Sequence, residues 1–196
     1  LQRFSQEGDM IEHKRYALAR LRPRDHTHYV SQGYTVLATQ RDGFITPGPE
    51  CGLFVHETRL LSRYRYLIDG KPPLPVALSN VEQHTWLGYY IRLPPDLAKG
   101  DSDTGSGQVQ EVTQQTVELR LSRYVGPGVH EDVDLTNFTQ QPTSFRLELE
   151  VDADFADLIE TKGMRQQQGK LTRQWQATEE GVWQLRFDYR AEHTYN

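Results

Sequence analysis

Four carboxylates crowd the stretch VDADFADLIETKG, residues 151 to 163: Asp152, Asp154, Asp157 and Glu160. Negative charges this close raise one another's proton affinity unless a cation or a set of positive partners holds them. One reading is metal binding. Calcium loops supply oxygens from alternating positions around a glycine that makes the sharp turn. Asp152, Asp154 and Asp157 offer oxygens, but Phe155 and Leu158 interrupt the series and the spacing is not that of an EF-hand. A second reading is acid–base chemistry, which for a glycosidic bond needs two carboxyls about 5 to 10 Å apart across a cleft. One strand can meet the distance, yet it supplies no cleft. The third reading is structural: Phe155 and Leu158 anchor the segment in a core while the acids cap a turn, pair with arginines or face a neighbouring domain.

A second dense stretch is GLFVHETRLLSRY, residues 52 to 64. His56-Glu57 resembles the start of a zinc-protease helix, but Leu60 stands where the second histidine must be. His26 and His28 share RDHTHY without a third ligand nearby, which favours a solvated loop over a metal site. Neither a phosphate-binding glycine loop nor a G-x-S-x-G nucleophile elbow is present. Among the aromatics, Trp86, Tyr89 and Tyr90 in HTWLGYYIRL form the best local group for stacking a sugar ring, against the alternative that they pack between sheets.

The elements that must position these residues are mostly strands. In TSFRLELEV, Phe145, Leu147, Leu149 and Val151 share one face and Arg146, Glu148 and Glu150 the other. Trp183, Leu185, Phe187 and Tyr189 alternate in the same way with Gln184, Arg186, Asp188 and Arg190. Further strands are expected over 60–69, 74–79, 84–93, 110–124, 129–137 and 170–176, with a tight hairpin turn at Asp42-Gly43. Residues 9 to 21 read as a short helix capped by Asp9 and Glu12, and KGDSDTGSGQ, 99 to 108, as a flexible loop. With 15 glycines, 10 prolines and few helical segments, the expected class is all-β, an antiparallel sheet-on-sheet domain.

Composition narrows the partners. A net charge of −5 leaves no basic excess for a phosphate backbone, so nucleic acid is not expected. Cys51 is the sole cysteine, which rules out an internal disulfide and a cysteine-based zinc cluster and suits a reducing compartment. No apolar run approaches the ~20 residues of a membrane helix, and LQRFSQEGDM lacks the layout of a signal peptide. The expectation is a cytoplasmic protein with no membrane partner.

The two dense stretches together resemble the N-terminal domain of bacterial glycogen debranching enzymes of the amylo-alpha-1,6-glucosidase type. That pattern runs G-L-F-x-x-D-T-R-F-L-S-R, then N-G-x-P-P, a T-N dipeptide, and D-A-D-F-A-D-L-F-E-V-R-G. The chain has Gly52-Leu53-Phe54, Glu57 where Asp is usual, Thr58-Arg59, Leu60 for Phe, and Leu61-Ser62-Arg63. It continues with Asp69-Gly70, Pro72-Pro73 and Thr136-Asn137, and keeps Asp152 to Leu158 unaltered before IETKG. The resemblance covers roughly residues 30 to 190 and leaves 1 to 29 as an N-terminal extension.

The resemblance implies a large β-sandwich over 30–196, supersandwich-like or galactose-mutarotase-like. It also implies a downstream α/α-toroid that carries the hydrolytic carboxylates and packs against the sandwich. On that reading the chain holds no catalytic residue, cofactor or metal. Glu57, Arg59, Arg63, Asp154, Asp157 and Glu160 become interface or structural ion-pair candidates, with Arg59 or Arg63 expected to bind Asp154, Asp157 or Glu160. Two rivals remain: a self-standing alpha-glucan-binding module that stacks oligosaccharide on Trp86, Tyr89 or Tyr90, and a glycosidase that uses Asp154 with Asp157 or Glu57.

Overall fold

The computed structural model describes residues 27–92, 116–139, 141–163 and 168–192. The expected helix over 9–21, the loop over 99–108 and the first residues of the strand expected over 110–124 lie outside them. The described residues form an all-β fold of antiparallel sheets, as the period-two patterning requires.

One sheet has five strands in the order β1 (Thr27–Gln32), β2 (Thr35–Gln40), β3 (Gly52–Val55), β4 (Thr58–Leu61) and β11 (Ala156–Asp157). A four-stranded sheet runs β6 (Leu74–Glu82), β7 (Thr85–Ile91), β8 (Val117–Val125) and β9 (Val129–Asn137). Between them β5 (Arg63–Ile68) pairs with β10 (Leu147–Asp152), and β12 (Gln168–Ala177) pairs with β13 (Trp183–Glu192) as a separate hairpin. The single segment expected over 60–69 is thus two strands. At Ser62 the chain leaves one sheet for the next, and the Ser62 N–H donates to the Asp152 carbonyl at 2.9 Å.

Alternation on β7 and β8 builds the core. Trp86 and Tyr90 on β7, and Val117, Leu119, Leu121 and Val125 on β8, are 0 to 2% exposed. They meet Val30 and Leu37 of the opposite sheet together with Phe44, Ile45, Leu53 and Tyr66. Each such side chain, fully buried, contributes about 1.5 to 3 kcal/mol. The hairpin expected at Asp42-Gly43 is corrected. The turn forms, with Gly43 at φ +82° and the Asp42 carboxylate accepting from Phe44 N–H at 3.0 Å, but the chain does not return along β2. Phe44 and Ile45, 1% exposed each, are drawn into the core instead, and Ile45 bridges to Tyr64 of β5. Gly43 is required there for space as well: a Cβ would lie 2.5 Å from both Trp86 Cζ2 and the Tyr90 hydroxyl.

The core also holds a charged pair. Arg123 of β8 and Glu131 of β9 are direct cross-strand partners, their side chains 2% and 5% exposed, and Arg123 Nε donates to Glu131 Oε2. Glu131 Oε1 accepts from the hydroxyls of Tyr64 at 2.7 Å and Tyr66 at 2.8 Å, both on β5. Arg123 Nη1 donates to the Gly43 carbonyl, and the guanidinium carbon stands 4.6 Å from the Trp86 ring, with the rings of Tyr64 and Phe44 at 5.7 and 5.9 Å. A buried cation so placed draws on ring quadrupoles as well as on its carboxylate.

Two outcomes are expected. Glu131→Gln leaves Arg123 buried without its counter-charge and lowers stability by about 3 to 5 kcal/mol, read as a lower urea midpoint at unchanged slope; a loss under about 1 kcal/mol would contradict the network. Burial, with Glu131 adding to it at Tyr64 and Tyr66, pushes the phenols of Tyr64, Tyr66 and Tyr90 above their ordinary value of 10.0. The folded protein keeps protons that the unfolded chain releases, so this contribution is complete below about pH 10 and is lost as pH rises beyond it. Absorbance at phenolate wavelengths must then show these tyrosines ionising only together with unfolding.

Candidate functional site

The hairpin of β3 and β4 has the two-residue turn His56-Glu57, with φ of 46° and 67°. Positive φ at both central positions suits the twist of a two-residue hairpin and is normally met by Asn-Gly. Here two residues with full side chains adopt it. The Tyr34 ring stacks on His56, with centroids 4.5 Å apart and planes at 25°, and the His56 N–H donates to the Tyr34 carbonyl at 3.2 Å. Glu57 stands exposed at the tip.

Two residues on, Arg59 is buried at 8% exposure. Its Nη2 lies 2.5 Å from Asp154 Oδ2, and its Nε donates to both Asp154 oxygens at 3.2 Å. Nη1 donates to the carbonyls of Gly48 at 2.5 Å and Cys51 at 3.3 Å. Gly52 gives the arginine stem its room, since a Cβ would sit 2.5 Å from Arg59 Cδ. Arg59 therefore ties the loop before β3 to the segment between β10 and β11.

The acidic block divides its charges among separate partners. Asp152 accepts from Arg173 of β12 at 2.7 Å and from the Ala153 N–H at 2.9 Å. Partial burial pushes its carboxyl up, but these hydrogen bonds outweigh that and hold it below the usual range. Phe155, at φ 52°, turns its ring onto Tyr189 of β13, nearly parallel at 5.7 Å. Asp157 accepts from the N–H groups of Ile159 and Glu160 at 2.8 and 2.7 Å, and Glu160 Oε2 accepts in return from the Asp157 N–H at 3.2 Å. This reciprocal pair has the pattern of a capping box and leads into the 3-10 turn Glu160–Lys162, whose own N-cap is Ile159 and in which Glu160 is 6% exposed. Arg63, expected to meet Asp154, Asp157 or Glu160, lies 3.8 Å from Glu150. Glu150 also accepts from Arg65 at 2.7 Å, and that hydrogen bond holds its carboxyl below the ordinary value.

The aromatic candidates separate by face. Trp86 and Tyr90, at 2% and 0% exposure, lie inside the sandwich, so neither presents a ring to a sugar; the period of two that buried them is the correction to that expectation. Tyr89 lies on the opposite, outer face of the same sheet. Sequence patterning missed several open aromatics, among them Tyr34, 75% exposed, Trp175 and Trp183, each 63% exposed and stacked on one another at 5.6 Å, and Tyr124, 46% exposed. The alternation of β13 assigns Trp183 to an apolar face, but among the described residues β12 and β13 pair only with each other, which leaves that face open near their turn.

Among the described residues no group of three or more His, Cys, Asp or Glu is placed to hold a metal, and no helix is long and apolar enough to cross a membrane. His28 lies on β1. Cys51 is a free, buried thiol, pushed up chiefly by burial.

Residues 30–194 match a family model described as the N-terminal domain of some glycogen debranching enzymes. Neither the curated proteins nor the solved structures contain a match.

The two roles found inside the acidic block predict different costs. Asp154→Ala leaves Arg59 buried without a carboxylate and costs about 3 kcal/mol, whereas Asp157→Ala loses a cap worth about 1 kcal/mol. Urea unfolding of the two variants orders them, and an equal or reversed order would contradict the assignment.

Proposed function

The chain belongs to the family of N-terminal domains of glycogen debranching enzymes, and on that footing we propose that it is a non-catalytic accessory domain. It packs on a downstream catalytic α/α-toroid and shapes one wall of that domain's glucan cleft. The observation that carries this reading is where the two signature stretches meet. Thr58 of β4 pairs with Asp157 of β11, which sets the His56-Glu57 turn and the Leu158-Ile159 turn at one end of the five-stranded sheet. Tyr34 joins them there through its stack on His56.

That end is unusually apolar for a loop surface: Tyr34 is 75%, Ile159 77% and Leu158 42% exposed. Clustered apolar groups rimmed by charge, here Glu57 and the exposed Lys162, are the ordinary make-up of an interface. Glu57, Asp157 and Glu160 shape this end, while Arg59 and Asp154 brace it from behind.

The rival reading, a glycosidase using Asp154 with Asp157 or Glu57, finds less support. Asp154 is gripped by a guanidinium and Asp157 by two backbone N–H groups, so the oxygens a catalytic pair would need are engaged in holding the fold. In this reading the parent enzyme works in the cytoplasm, where the free thiol of Cys51 suits a reducing medium.

In the debranching enzyme that carries this domain, Tyr34→Asp with Ile159→Asp should lower kcat/KM on a branched dextrin by about tenfold, roughly the ~1.4 kcal/mol of one lost apolar contact. The same pair should lower the stability of the 196-residue chain by no more than the loss of the Tyr34–His56 stack, about 1 kcal/mol in urea unfolding. The chain by itself should release no glucose from branched dextrin. Hydrolysis by the chain alone, or an unchanged kcat/KM in the doubly substituted enzyme, would overturn the proposal.

A further inference from the structure

The outer face of the four-stranded sheet carries a second set of groups that neither the core nor the packing end uses. Residues on β8 that point away from the core are Arg120, Ser122 and Tyr124, and their cross-strand partners on β7 are Tyr89, Leu87 and Thr85. On β9 the partners are Asp134, Asp132 and His130, and Glu82 of β6 stands opposite Thr85. Directly opposed residues in an antiparallel pair share a face. The result is a row of hydrogen-bonding side chains with a tyrosine at either end. Tyr124 and Tyr89 are separated by four residue steps along the strand direction, about 14 Å at ~3.4 Å per step.

This face is concave around Tyr124. One cavity of about 550 Å³ is lined by Glu82, His84, Thr85, Arg120, Ser122 and Tyr124 among others. A second, of about 430 Å³, lies on the far side and shares His84 and Tyr124, adding Gln32 and His130. Both fall in the size range of small-ligand sites. Tyr124 therefore stands as a partition between two hollows, 46% exposed, with His130 tilted against it at 6.2 Å.

The groups around that ring have donors and acceptors to spare. Arg120 gives Nε and Nη2 to Asp134 Oδ2 at 3.1 and 2.7 Å and also meets the Tyr89 side chain, and a guanidinium carries more N–H groups than these contacts engage. Glu82 and His84 form a loose pair at 3.6 Å. On the cavity wall the Thr85 hydroxyl oxygen is buried and has no hydrogen-bond partner among the described residues. A sterically enclosed hydroxyl without a partner is costly unless something completes it.

An apolar ring face beside planar, paired hydrogen-bonding groups matches a sugar, whose ring presents C–H faces and whose edge presents neighbouring hydroxyls. Glu82, Asp132 and Asp134 outnumber Arg120, which is itself paired with Asp134, so the face disfavours an anionic ligand. We infer that this outer face is an alpha-glucan-binding surface, with Tyr124 as the stacking platform, Arg120, Glu82 and His84 as hydroxyl partners, and Tyr89 as a second contact further along the chain. The identity of the glucan rests on the family assignment; the site itself is distinct from the packing end, so either proposal can fail alone.

Titration calorimetry of the chain with maltoheptaose tests it. Wild-type chain should bind in the micromolar to millimolar range. Tyr124→Ala and Arg120→Ala should each weaken binding by at least tenfold at an unchanged urea midpoint, both side chains lying outside the core. Trp175→Ala, on the separate hairpin, should bind as wild type. Absence of heat at millimolar maltoheptaose, full binding by Tyr124→Ala, or loss in Trp175→Ala in place of Tyr124→Ala would each overturn the inference. The Tyr34→Asp and Ile159→Asp pair should bind maltoheptaose normally, so loss of catalysis there and loss of glucan binding here report on different surfaces.

Discussion

A guanidinium and a carboxylate sealed between sheets tolerate no error in strand register. Arg123 and Glu131 face each other across β8 and β9, and Glu131 reaches on to two hydroxyls of β5 while Arg123 reaches the Asp42-Gly43 turn. A slip of one residue in either strand would turn one charge to water and leave the other buried alone. Such a pair adds little net stability compared with a well-packed apolar substitute, because desolvation consumes most of the attraction. Its effect lies in discrimination among pairings: it joins the four-stranded sheet, the β5–β10 pair and the loop that follows β2, and only one arrangement satisfies all of them. The outer face of β7, β8 and β9 inherits its order from the same register, since each outward side chain is placed by the inward neighbour beside it.

A second clamp, Arg59 on Asp154, does for the end of the five-stranded sheet what Arg123 does for the core. Three residues near it, His56, Glu57 and Phe155, hold left-handed backbone despite bulky side chains. Each such residue costs of order 1 to 2 kcal/mol. The cost is offset by neighbours that fix the conformation: the stack of Tyr34 on His56, the stack of Phe155 on Tyr189, and the bidentate grip of Arg59 on Asp154. Gly52 is what allows the Arg59 stem to pass under the strand.

The sequence made the strands and the specificity of the acidic block readable, because alternation and short motifs are local. In TSFRLELEV the face holding Leu147, Leu149 and Val151 pairs opposite Ile68, Tyr66 and Tyr64, as its period demands. What local pattern cannot carry is which sheet a strand joins. Ser62 reads as an ordinary strand interior, yet the chain changes sheet there; Asp42-Gly43 reads as a hairpin, yet Phe44 is pulled inward by Tyr66 and Tyr90 rather than returned along β2. The same limit governs the aromatics. Trp86, Tyr89 and Tyr90 are neighbours in sequence, but one step of the pleat sends Tyr89 out and the other two in, and Trp175 and Trp183 are open on a hairpin that, among the described residues, joins no larger sheet. Arg123 carried no sequence signal at all: a lone arginine at an inward position of SRYVG is indistinguishable from a strand-end charge until Glu131 is seen opposite.

The fate of the acidic block follows from the sign of its electrostatics. A carboxylic acid that is to protonate a leaving oxygen near neutral pH must be pushed up, by burial in apolar surroundings or by a like charge. Asp152 is partly buried, which would raise it, but Arg173 and a backbone N–H reverse the direction; Glu150 is drawn down by Arg65. Asp154 meets a guanidinium and Asp157 two backbone N–H groups. The repulsion among these carboxylates is relieved by giving each its own hydrogen-bond partners. The partners that quench the charge also set geometry: Arg173 anchors the β12–β13 hairpin, Arg59 anchors the loop before β3, and the Asp157–Glu160 box presents Leu158 and Ile159 to the outside. Charge neutralisation and the shaping of an apolar end are thus one set of contacts, packed into one short stretch of sequence.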